Sequence, residues 1–62
     1  MDWQTFLNVM IEDEKAAIKK YRLALEHAES ETLRTGLKRL MDEEEFHVDF
    51  LEGEIIKLQK QQ

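Results

Sequence analysis

The stretch His27-Ala28-Glu29-Ser30-Glu31 is the one place where an otherwise unbroken helical pattern stops. Ser30 suits an N-cap, because its hydroxyl can accept from the backbone N–H groups left unpaired at a helix start. Glu31 then falls in the first turn, where the helix dipole favours an anion. Upstream, Asp2 can cap a first helix running from about Trp3 to about Glu29. Downstream, a second helix is predicted from about Glu31 to about Lys60, with the turn near residue 30. The whole of residues 1–62 thus reads as a single domain, an all-α antiparallel two-helix hairpin.

Composition agrees with this. The 62 residues contain no Pro and only two Gly, and 37% are Asp, Glu, Lys or Arg. Strong helix formers fill both halves. A chain of this length buries a thin core, and small domains of this kind add a disulfide, a metal or a partner. There is no Cys, which removes disulfides, thiolate metal sites and Cys nucleophiles and fits a cytoplasmic location. The formal net charge of −5 argues against nucleic acid and anionic membrane as partners, since both favour basic patches. No apolar run approaches a membrane span of roughly 18 residues, and the acidic N-terminus does not resemble a secretory signal.

The first helix carries Trp3, Leu7, Met10, Ala17, Tyr21, Ala24 and Ala28 at alternating steps of four and three, a heptad seam whose missing member is Glu14. Phe6, Ile11, Ile18 and Leu25 widen the stripe, as a bundle helix requires. The second seam reads Leu33, Leu37, Leu40, Leu51, Ile55 and Leu58, with Glu44 and His47 in the two middle places and Met41 and Val48 beside them. Both apolar seams are therefore interrupted at their middle by polar residues. For a turn near residues 29 and 30, positions pair when their numbers sum to about 59. Glu14 then comes level with residue 45, between Glu44 and His47.

Two carboxylates and an imidazole at one level of a core need a counter-charge, because an unpaired buried carboxylate is costly. No Lys or Arg lies on either seam. A divalent cation would supply the charge and use the lone pairs. One hairpin offers two Glu and one His; a two-fold dimer, the commonest homo-oligomer, doubles this to four Glu and two His. Bundles that bind two iron or manganese ions use one Glu from each of two helices and Glu-x-x-His from each of the other two. The spacing of Glu44 and His47 puts both on one helical face. Oxygen and imidazole ligands suit iron, manganese or zinc.

At Glu14 through Tyr21 (EKAAIKKY) and Asp42 through His47 (DEEEFH) the chain resembles the ferritin-like superfamily, in its encapsulated-ferritin and rubrerythrin-like branch. The resemblance implies a hairpin that dimerises into a ferritin-like four-helix bundle with a di-iron site at the interface. It implies that Glu44 bridges two metals, that Glu14 and His47 are terminal ligands, and that Tyr21 is a nearby phenol. The implied activity is ferroxidase, oxidising Fe(II) for storage or detoxification, with a shell protein as a further partner and a protein nanocompartment as the location. Rubrerythrins carry two hairpins and a Cys-ligated iron, so a rubrerythrin-type peroxidase is not expected. The further helix and shell-targeting tail of encapsulated ferritins have no counterpart in residues 1–62.

Other residues carry two readings each. Tyr21 is either a phenol bonding a ligand or a core aromatic with its hydroxyl at the rim. His27, beside the turn, is expected at the surface. Asp13 and Glu43 either guide cations inward or are solvated charge. Trp3 is expected to plug the open end of the bundle. Phe46 and Phe50, with Gly53 in line, point off the seam, as do Val9, Ala16 and Leu23 on the first helix. They form either a second contact surface, joining dimers into a ring, or part of the first dimer. Two functions compete with the ferroxidase: a structural metal-binding module, and a metal-free helical oligomerisation module in which the polar trio sets register.

Overall fold

The computed structural model describes residues 1–61; the domain assignment 1–62 includes Gln62, which lies outside the described residues. The described residues form two helices, α1 over Trp3–His27 and α2 over Glu31–Lys60. They lie antiparallel as a hairpin about 49 Å long and 15 Å wide. The all-α hairpin is as expected.

Both starts are capped by the residues that the sequence suggests. The Thr5 N–H donates to Asp2 Oδ1 at 3.1 Å, and the Thr5 hydroxyl donates to Asp2 Oδ2 at 2.8 Å. The Leu33 N–H donates to Ser30 Oγ at 2.9 Å. The end of α1 comes two residues earlier than about Glu29, because Ala28 takes an extended backbone. An unpaired carbonyl of that last turn finds a partner across the break: Arg34 Nη1 donates to the Leu25 carbonyl at 2.8 Å. This contact ties the end of α1 to the first turn of α2. The turn contains no glycine and no residue of positive φ; both glycines sit inside α2, and a Cβ at either would meet nothing within 4 Å.

The core is thin. Only Leu7, Ile11 and Val48 are buried among the described residues. This corrects the division of the seams. Val48, expected beside the seam, is the one buried residue of α2, while Trp3, Leu33 and Leu40, all expected on a seam, are exposed. Each helix of a hairpin has only one neighbour, so a stripe wide enough for two neighbours leaves half of itself uncovered. That uncovered half is a continuous open face. Trp3 and Leu7 border a hollow there with Glu54 and Leu58. Met10 and Glu14 border the next one with Phe46, His47, Phe50 and Leu51. Among the described residues no helix is long and apolar enough to cross a membrane.

Candidate metal centre

Glu14 stands at the middle of α1, on the edge between the α2 contact and the open face. Heptad spacing places it there: it follows Leu7 by seven residues and Met10 by four. On α2, Glu44 and His47 are one turn apart, and Val48, one residue on, is buried against α1. The antiparallel register brings the three together.

His47 Nδ1 lies 3.6 Å from Glu14 Oε2 and 3.7 Å from Glu44 Oε2. Both are ion-pair separations, longer than a hydrogen bond. One ligand atom from each residue lies within 4.8 Å of those of the other two. The carboxylates are the inner members, their side chains 19% and 20% exposed, whereas the imidazole is 49% exposed and faces the open side. His47 is the only basic group within ion-pair distance of either carboxylate among the described residues; the remaining pairs, Arg39 with Glu43 and Lys57 with Glu54, lie elsewhere on α2.

The donor set fits a divalent transition metal. Protein oxygen and nitrogen ligands sit about 2.0–2.2 Å from such an ion, so two donors on one ion are at most about 4.4 Å apart. Both contacts of His47 already fall inside that limit. Oxygen with imidazole is the ligand chemistry that iron, manganese and zinc share. A metal held by these three protein donors would keep coordination positions for solvent or substrate.

Apolar walls complete the hollow: Met10 on α1, and Phe46, Phe50 and Leu51 on α2. Phe46 and Phe50 are 72% and 59% exposed in the single hairpin, in line with their place off the seam, and both border the hollow beside His47. The signal was available for Phe50 and Leu51, which follow His47 by three and four residues and so share its face. Tyr21 is half-buried one heptad after Glu14, about 10 Å along the axis; it is not one of the side chains that meet at the trio. Glu43 and Asp13 are exposed, as is His27. Val9 and Leu23, on the outward stripe of α1, are exposed as well.

No protein-family model, no curated protein and no solved structure matches this chain.

Proposed function

We propose that Glu14, Glu44 and His47 are half of a ferritin-like di-metal carboxylate centre, completed by a second copy of the chain, and that the centre is a ferroxidase. The observation carrying this is the meeting of three donors from two helices at one level, with no Lys or Arg among them. A second copy related by a two-fold axis brings four Glu and two His together, the ligand set of di-iron bundles. The exposed surface is of the size such a dimer covers. The hairpin exposes 5002 Å², against about 4,200 Å² for a compact chain of this mass. The excess is about 800 Å², one partner's share of a standard interface.

In this reading Glu14, Glu44 and His47 would hold Fe(II) as the substrate. Two such ions would supply one electron each to dioxygen, which with two protons would give hydrogen peroxide. The chain's own part is positional. The two inner carboxylates fix the ions side by side and favour the higher charge of Fe(III). Phe46, Phe50, Met10 and Leu51 keep bulk water from the hollow once the second copy closes it. Tyr21 stands one heptad away as a phenol able to bond a ligand carboxylate. Zn(II) or Mn(II) on the same donors would give a structural site.

Fe(II) oxidation in air tests the reading. The wild-type chain should oxidise iron faster than buffer, and Glu44→Ala should fall to the buffer rate; equal rates for the two chains would contradict it. The His47 contacts favour a second reading, in which the imidazole bridges both carboxylates and the trio only sets register. Folding unaffected by metal would favour that one.

A further inference from the structure

We propose that Met10 is an oxidation site served from inside the molecule: its thioether takes an oxygen atom from hydrogen peroxide made beside Glu14, Glu44 and His47, ahead of Met1 and Met41. The inference rests on the ferroxidase reading and adds to it the first side chain that its product attacks.

Met10 precedes Glu14 by four residues, so the two side chains share a face of α1. Both border the hollow that His47 borders from α2, and Phe46, Phe50 and Leu51 complete its walls. Aromatic rings and a leucine are poor acceptors of oxygen from peroxide. The thioether is the soft, polarisable group of this lining and is readily converted to a sulfoxide. The hollow spans about 370 Å³, many times the ~30 Å³ share of a water molecule. An oxidant as small as peroxide therefore fits between the donors and the Met10 sulfur.

Exposure alone predicts the opposite order. Met1 is 85% exposed, whereas Met10 and Met41 are half-buried. Peroxide arriving from bulk solvent meets Met1 first. Met41 stands on the turn side of the trio, one turn before Glu44, and is not among the side chains lining the hollow. It separates closeness to the ligands along a helix from an open path to them.

In the reaction the O–O bond of peroxide breaks as an S–O bond forms. Sulfur gives up two electrons, and the second oxygen leaves as water with both protons. The product is methionine sulfoxide, a polar group in an otherwise apolar wall.

Peptide mass spectrometry after a few turnovers with Fe(II) and air, in the presence of excess catalase, tests the proposal. Catalase destroys peroxide in bulk solvent and is too large to enter the hollow. Met10 should gain oxygen several-fold faster than Met1 and Met41. Peroxide added to the metal-free chain without catalase should oxidise Met1 first. In Glu44→Ala, iron and air should oxidise Met10 no faster than Met1. Catalase protecting Met10 of the wild-type chain as fully as Met1 overturns the proposal, and so does Met10 leading under bulk peroxide, which would make the preference a property of the side chain alone. The rate of Fe(II) oxidation in the same samples keeps the two readings apart. Rapid iron oxidation with Met1 or Met41 leading overturns the oxidation site alone. Iron oxidation at the buffer rate overturns the ferroxidase and the oxidation site with it.

Discussion

His47 Nδ1 on α2 and Glu14 Oε2 on α1, 33 positions apart in sequence, stand 3.6 Å from each other. This contact joins the two helices through the polar centre. Removing the imidazole leaves two half-buried carboxylates with no basic side chain in ion-pair range among the described residues. His47→Ala is expected to weaken metal binding at least tenfold, since even outer partners of metal ligands are worth 10–100-fold. Isothermal calorimetry with Zn(II) or Mn(II) measures this; an unchanged affinity would remove His47 from the ligand set.

Metal should stabilise the folded dimer by mass action. At a free concentration about a hundred times the dissociation constant the gain is about 2.7 kcal/mol. For a chain of this size that corresponds to roughly 10–20 °C in melting temperature. Thermal melts followed by circular dichroism, with and without metal, read it directly, and Glu44→Ala should melt at one temperature in both.

The double substitution Glu14→Leu with Glu44→Leu should act in the opposite sense on the metal-free chain. Replacing buried charges by apolar side chains of similar size is often neutral or stabilising by about 1–4 kcal/mol. Urea denaturation of the metal-free protein should therefore show a midpoint no lower than wild type, while metal binding is abolished. A large loss of stability would mean that the carboxylates hold the fold through contacts other than those seen.

Much of this was legible in the sequence. Ser30 and Asp2 announced their caps, and the break at residues 28–30 followed from them. The polar trio was visible because Glu14, Glu44 and His47 occupy heptad places that are otherwise apolar. What the pattern could not give was the side on which each seam residue lies. A heptad stripe that serves two neighbours looks the same whether a residue faces its own hairpin or the outside. Hence Val48 proved buried where Leu33 and Leu40 proved exposed, and Phe50 proved a wall of the site. The link from Arg34 to the Leu25 carbonyl left no signal, since a long flexible cation near a turn has many partners within reach.

The caps make their own predictions. Ser30→Ala should cost about 1 kcal/mol, because the Leu33 N–H loses its acceptor. For Asp2, the backbone N–H of Thr5 and then its hydroxyl hold the carboxyl below its ordinary value of 3.8. A depressed folded-state value means that the contribution is complete above that value and is lost as pH falls through the folded one. The loss should show as fraying of the first turn of α1 below about pH 4, and Asp2→Asn should remove that pH dependence. Amide exchange at Thr5 measures both.

Anaerobic titration of the metal-free chain with Fe(II), with mass followed in parallel, tests whether two copies share one metal site. Saturation is expected near one iron per chain on a species of twice the chain mass or more, followed on admitting air by a rapidly growing ferric absorbance. A chain that stays monomeric, or that binds no iron at concentrations where it is dimeric, would contradict it.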